Sequence, residues 1–158
     1  MLTDKQKTAC FTGHRILPKK GIEKMLIKLN NEIDRLIEQG VTNFISGGAI
    51  GFDQIAASLI IAKKQQGMNI ALYFILPCID QDKKWAQRQK ELYNNLLNEA
   101  DAVHYISKEY TDECMKKRNY YMVDNSSYCI CALKYKVSGT GQTVRYAEEM
   151  GLRIVNVA

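Results

Sequence analysis

Histidine is scarce in this chain: two among 158 residues, His14 and His104, far apart in sequence and with no triad or metal-ligand spacing around either. Five cysteines (Cys10, Cys78, Cys114, Cys129, Cys131) form an odd set without a CxxC pair. That argues against a disulfide framework and against a zinc site, and reads the thiols as small apolar fillers, with Cys129 and Cys131 on one strand face. No apolar run approaches the roughly 20 residues of a membrane-spanning helix, the stretch from Ile70 to Cys78 being among the longest. The start, Met1-Leu2-Thr3-Asp4-Lys5, lacks the apolar centre of a signal peptide, so the expectation is a cytoplasmic protein with no membrane partner. Charge is not concentrated either. The 22 Lys and Arg against 17 Asp and Glu leave a net +5 spread along the chain, which admits an anionic partner but lacks the dense basic stripe of a dedicated DNA-binding domain. No glycine run ends in Gly-Lys-Ser/Thr, which excludes a Walker loop.

What is present is alternation. Thr8 to Thr12 reads as a buried strand and Gly21 to Gln39 as a helix with Ile22, Met25, Leu26, Leu29, Ile33, Leu36 and Ile37 on one stripe, stopped by Gly40. Val41 to Ser46 is a second strand, Phe52 to Gln66 a second helix, and Asn69 to Leu76 a third strand, ended by Pro77. Asp82 is positioned to cap a helix running to about Asn98, followed by a strand over Ala102 to Ile106. Thr111 is positioned to cap the next helix, with Asp112 and Glu113 in its first turn. Ser127 to Leu133, Gln142 to Met150 and Arg153 to Val157 complete the series as strand, helix and strand. Continuous Val/Ile/Leu runs without period-2 alternation suit strands buried on both faces. The expected fold is therefore α/β, a Rossmann-like doubly wound, mainly parallel sheet with helices on both faces, in a single domain over residues 1–158.

Three joints in that series carry the functional signal. Ser46-Gly47-Gly48-Ala49-Ile50-Gly51-Phe52-Asp53 links a strand to a helix, where glycine-rich backbone leaves N–H groups able to bind an anion. Thr12-Gly13-His14-Arg15 follows the first strand: Gly13 allows close approach, Thr12 supplies a hydroxyl, and Arg15 a planar fork for phosphate. His14 reads as a pocket-lining residue. Ser138-Gly139-Thr140-Gly141-Gln142-Thr143 precedes the last helix. On a doubly wound sheet these joints lie together outside the C-terminal strand ends, the edge at which ligands bind. Ser46-x-Gly48-x-x-Gly51 resembles a dinucleotide fingerprint that has lost its first glycine, but the third strand, Ala71 to Leu76, ends without the acid that would hold a ribose, which argues against ordinary NAD binding. Asp53 can complement its helix dipole or accept a ligand hydroxyl. Arg118 and Asn119 lie on the helix before the fifth strand, within reach of the same edge. Trp85, with Lys83, Lys84 and Arg88 around it, is either a core anchor or a surface on which a base stacks.

Together, Thr12-Gly13-His14-Arg15, the Ser46 to Asp53 segment, Arg118-Asn119 and the Gly139-Thr140-Gly141-Gln142-Thr143 turn resemble the SLOG superfamily, in particular its bacterial branch containing YpsA and YoqJ. The resemblance implies a site for a nucleotide or nucleotide-derived ligand made of Thr12, Gly13, His14, Arg15, Ser46, Gly47, Gly48, Ala49, Gly51, Asp53, Arg118, Asn119, Gly139, Thr140, Gly141 and Thr143. The expected partner is a small nucleotide, with no catalytic residue, metal or fixed cofactor assigned; nucleic acid ranks behind it, and a homodimer is compatible. The Ser46 to Asp53 segment is also similar to the corresponding stretch of DprA/Smf proteins, which implies single-stranded DNA binding as an alternative. LOG-type enzymes, which cleave nucleotide N-glycosidic bonds, carry Pro-Gly-Gly-x-Gly-Thr-x-x-Glu with a catalytic glutamate; here Thr143 or Arg145 takes the glutamate's place. A LOG-type hydrolase is the other alternative, with His14 or Asp53 standing in as acid/base.

Overall fold

The computed structural model describes residues 4–158. A short 3-10 turn, Lys5–Lys7, leads into β1 (Thr8–Gly13), after which helices and strands alternate: α1 (Ile22–Glu38), β2 (Asn43–Ser46), α2 (Phe52–Gln65), β3 (Ala71–Cys78), α3 (Gln87–Asn98), β4 (Ala102–Ser107), α4 (Cys114–Asp124), β5 (Tyr128–Ala132), α5 (Gly139–Glu149) and β6 (Arg153–Asn156). The six strands form one sheet in the order β4-β3-β2-β1-β5-β6, and every pairing is parallel. The expected α/β doubly wound architecture is the one observed.

Alternation along each strand separates two cores. Ala9, Phe11, Phe44, Leu72, Phe74 and Leu76 face α1, α2 and α3, whose Leu29, Ile33, Ala56, Ile60, Tyr93 and Leu96 cover them. Cys10, Ile45, Ile75, Cys129 and Cys131 face α4 and α5, through Met122, Val123, Val144 and Ala147. Both strand faces are thus apolar, which is why the strand segments read as continuous hydrophobic runs. Cysteine is the filler on the thinner side: Cys10 stands opposite Cys129 in the β1–β5 register, and both are fully buried. Between α1 and α2 the buried Lys63 donates to Asp34 at 2.7 Å.

Apart from shifts of one or two residues at other element ends, four boundaries differ from the sequence reading. β3 continues through Pro77 to Cys78; beyond Phe74 it has no β2 partner and pairs with β4 alone, so the missing N–H costs no ladder bond on the other side. Asp82 does not cap α3. It lies in a turn whose Asp82 carbonyl accepts from the Trp85 N–H, and α3 begins five residues later, where the Gln89 side chain accepts from the Ala86 N–H. Thr111 does not cap α4; Glu113 occupies that position without a side-chain bond, leaving Asp112 and Glu113 outside the helix. α5 starts at Gly139 and not at Gln142, because Ser138 caps it by accepting the Gly141 N–H at 3.0 Å. The third glycine-rich turn is therefore mostly the first turn of a helix.

Gly51 is the tightest joint between neighbouring βα loops. Its φ of +95° belongs to the left-handed half of the map, and a Cβ there would stand 2.6 Å from the His14 carbonyl oxygen and nearer still to that of Arg15. The Phe52 N–H donates to the same His14 carbonyl at 3.2 Å. Gly51→Ala is expected to destabilise the fold by about 3 kcal/mol in urea denaturation, through strain added to a backbone clash. Gly139→Ala, where an added methyl meets nothing within 4 Å, is expected to stay within about 0.5 kcal/mol of wild type.

Candidate functional site

The chain winds outward from β1 through β2, β3 and β4, then returns to place β5 on the free side of β1. This reversal opens a crevice at the C-terminal ends of β1 and β5, the topological switch point of an open α/β sheet. A cavity of about 310 Å³ fills it, lined by Thr12, Gly13, His14 and Arg15 from the β1–α1 loop, Ala49 and Asp53 from the β2–α2 joint, Met115, Arg118 and Asn119 from α4, and Ser138, Gly139 and Thr140 at the start of α5.

Two charged side chains are almost wholly buried there, Asp53 at 6% and Arg118 at 3% exposure. They meet across Gly47, where a Cβ would lie 2.7 Å from Arg118 Nη1 and 2.8 Å from Asp53 Oδ2, so a side chain there would have to displace one or both of them. Arg118 donates from Nη1 to the Gly47 carbonyl at 2.6 Å and from Nε to Asn119 Oδ1 at 2.8 Å, tying α4 to the β2–α2 joint. Asp53 Oδ2 accepts the Ala49 N–H at 3.4 Å. Burial pushes the Asp53 carboxyl up to about 6, against the pull of Arg118, the Ala49 amide and Arg15. Burial likewise lowers the Arg118 guanidinium, with Asp53 opposing.

The segment that stands out most in the sequence has its polar groups largely satisfied from within. Ser46 Oγ donates to the Asp53 carbonyl at 2.9 Å and accepts the Gly48 N–H at 3.2 Å, while Gln54 Nε2 donates to the Gly48 carbonyl at 3.1 Å. The Gly48, Ala49 and Phe52 amides of the expected anion cradle are thus engaged by the protein's own acceptors, whereas no acceptor among the described residues takes the Gly47 and Gly51 N–H groups. Ser46, Gly47, Gly48 and Gly51 build the joint and do not line the cavity. The α5 end is different. Among the described residues no protein group accepts the Gly139 and Thr140 N–H groups, and both residues face the cavity at a helix N-terminus. Gly141 gives its N–H to Ser138, and Thr143 is buried with its hydroxyl donated to the Gly139 carbonyl at 2.9 Å, so neither reaches the cavity.

His14 is a latch. Its Nε2 accepts the Lys134 N–H at 3.0 Å and the Tyr135 N–H at 3.2 Å, joining the β1–α1 loop to the β5–α5 loop, and its ring lies 5.4 Å from that of Tyr135. Two amides aimed at Nε2 require its lone pair, and burial lowers the imidazole below its ordinary 6.5, so the neutral ring is favoured and Nε2 is unavailable as an acid or phosphate donor. Arg15 is exposed and makes no ion pair among the described residues. Met115 and Ser138 are cavity residues absent from the sequence-derived set. Met115 stands three and four residues before Arg118 and Asn119, the helical spacing that places all three on one face, and Ser138 carries an N-cap signal.

Residues 17–150 match the YspA SLOG family (YpsA). The chain is 30% identical over 141 residues to the uncharacterised SPbeta prophage-derived protein YoqJ of Bacillus subtilis, covering 78% of this chain and 82% of that one. It is 30% identical over 109 residues to the UPF0398 protein BH1768 of Halalkalibacterium halodurans, covering 68% of this chain and 58% of the relative. Among solved structures, DNA processing protein A of Streptococcus pneumoniae superposes with a TM-score of 0.66 at 18% identity, over 95% of this chain and 50% of that one. The Helicobacter pylori counterpart, whose structure was described for its single-stranded DNA binding mode, superposes with a TM-score of 0.66 at 16% identity, over 93% of this chain and 63% of that one. These two likenesses are of fold.

The Asp53 carboxyl makes the site sensitive to pH. A carboxyl raised from 3.8 to about 6 binds its proton more tightly in the folded state, so its contribution is fully present below 3.8 and is lost as pH rises through 6. Asp53→Asn keeps an acceptor for the Ala49 N–H and cannot ionise. The stability of this variant relative to wild type is expected to rise between pH 4 and pH 8 by about 3 kcal/mol, two pKa units at about 1.4 each, measured by urea denaturation across that range. A difference that stays flat with pH would contradict this assignment.

Proposed function

This chain belongs to the YspA SLOG family, and from that premise we propose that the β1/β5 cavity binds the phosphate of a nucleotide or nucleotide-derived ligand. The observation that carries the reading is convergence: the exposed Arg15 fork, the buried Arg118 cation and the uncommitted amides at the start of α5 border one cavity. A guanidinium and oriented amides recognise a phosphate by charge and by geometry together. Asp53, the one carboxylate on the cavity wall, suits a sugar hydroxyl as donor to it. Arg118, held by Gly47 and Asn119, is the fixed part of the site, and Arg15, which makes no ion pair among the described residues, is the part that closes on the ligand.

Binding would join the β1–α1 loop, α4 and the start of α5, elements that surround the cavity from three directions. That arrangement suits a sensor, in which ligand binding shifts the population of these loops toward one arrangement that a partner reads. A second reading rests on Asp53. A buried carboxyl raised to about 6 is tuned for proton transfer near neutrality, and it is the group that would protonate or deprotonate a nucleotide during glycosidic cleavage. Base release from nucleoside monophosphates, followed by chromatography, would establish that activity; intact nucleotides with every purine and pyrimidine would exclude it.

Thermal denaturation with AMP, ADP-ribose and a cyclic nucleotide tests the binding reading. A ligand present at 100 times its Kd is expected to raise Tm by about 5–10 °C. Arg15→Ala is expected to weaken that ligand about 10- to 100-fold, the range of a charge-assisted bond, while changing the unliganded Tm little, because Arg15 makes no ion pair among the described residues. No shift with any phosphorylated nucleoside, or equal affinity in the variant, would sink the proposal.

A further inference from the structure

A second cavity of about 530 Å³ adjoins the first and shares Arg15 and Met115 with it. It lies between the turn after β3, which contributes Gln81, Lys84 and Trp85, and the loop between β4 and α4, which contributes Tyr110. The two loops are tied together where the Ile79 N–H donates to the Lys108 carbonyl at 3.3 Å.

Each loop brings an aromatic side chain to this lobe. Trp85 is only partly covered: its ring packs against the hydrophobic core and stands edge-on to Tyr93, with centroids 4.9 Å apart and planes at 70°, and it also lines the cavity. Tyr110 is 64% exposed. Gln81 donates from Nε2 to the Tyr93 hydroxyl at 3.0 Å, while its Oε1 is buried with no donor among the described residues. Lys83 and Lys84 add positive charge at the rim, and Asp80 a single negative one.

Resting on the phosphate reading of the central cavity, we propose that this adjoining lobe is the base subsite: a nucleobase lies against Trp85 and Tyr110 while its phosphate is held on the far side of Arg15. Aromatic faces stack on any base, and the lysines complement an anionic ligand. Continuity through Arg15 is what selects a nucleotide over a sugar phosphate, because one molecule can span both cavities only if it carries a planar group beyond its phosphate and sugar.

Trp85 is the chain's only tryptophan, so its emission reports this lobe directly. Titration with AMP is expected to change Trp85 emission with the same midpoint as the thermal shift, whereas ribose 5-phosphate and inorganic phosphate stabilise the protein and leave the emission unchanged. Tyr110→Ala, at an exposed position, is expected to weaken AMP about 5- to 100-fold, the loss of one stacking partner, with the affinity for ribose 5-phosphate preserved. The same base and phosphate can arrive in a strand. A (dA)12 oligonucleotide that quenches Trp85 more tightly than AMP, with affinity falling steeply as salt rises, identifies a strand as the source; AMP binding more tightly than the oligonucleotide identifies the free nucleotide. AMP that stabilises the protein while Trp85 emission and the Tyr110→Ala affinity both stay at wild-type values would overturn the base subsite alone. Absence of any stabilisation by AMP, ribose 5-phosphate, phosphate and (dA)12 would overturn it together with the phosphate reading beneath it.

Discussion

The buried Arg118 guanidinium, facing Asp53 across the bare Cα of Gly47, is the interaction on which the site depends. Neither charge would be tolerated alone at such low exposure. Each is held by a carbonyl or amide of the β2–α2 joint, so the loop conformation and the two charges require one another. Asp53 sits at the positive start of α2 and Arg118 descends from α4, on the opposite face of the sheet. The pair therefore joins the two helical layers at the sheet's C-terminal edge. Gly47 is what makes this contact sterically feasible, since a methyl group there would lie within 3 Å of both side chains.

Around that pair, the protein meets most of its own polar demands in the joint the glycines announce, and leaves unmet ones elsewhere. Ser46, Asp53 and Gln54 engage the Gly48 and Ala49 amides and the Gly48 carbonyl, and the His14 carbonyl takes the Phe52 amide. These bonds brace the joint from within. The amides of Gly139 and Thr140, on the far side of β1 across the switch point, have no acceptor among the described residues and border the cavity. His14 connects the two sides by accepting from Lys134 and Tyr135, so that the β1–α1 loop and the approach to α5 are held in register with the cavity between them.

Much of this was legible in the sequence, and the parts that were not have identifiable causes. The strand and helix alternation was legible because both faces of the sheet are buried, which writes continuous apolar runs at β1, β2, β3 and β5. Ten of the sixteen proposed site residues line one cavity, because βα joints of a parallel sheet share an edge whatever the strand order. The errors fall where a local signal competed with tertiary packing. Asp82 and Thr111 have the chemistry of caps, yet the chain uses them in turns that carry Trp85 and Tyr110 toward the second lobe. Pro77 reads as a strand end, but a strand with one free side accepts it. Met115 gives no signal as a residue type, and only its helical spacing from Arg118 and Asn119 placed it on the same face.

The class of fold and the edge of the sheet on which the loops gather were set by the sequence alone, because hydrophobic periodicity and glycine-rich joints are local properties of the chain. Tertiary structure alone decided which joint is open and which is closed. Hydrogen-bonding capacity is spent between residues distant in sequence, Arg118 on Gly47 and the Phe52 amide on His14 among them, and no local pattern records which donors remain after that pairing.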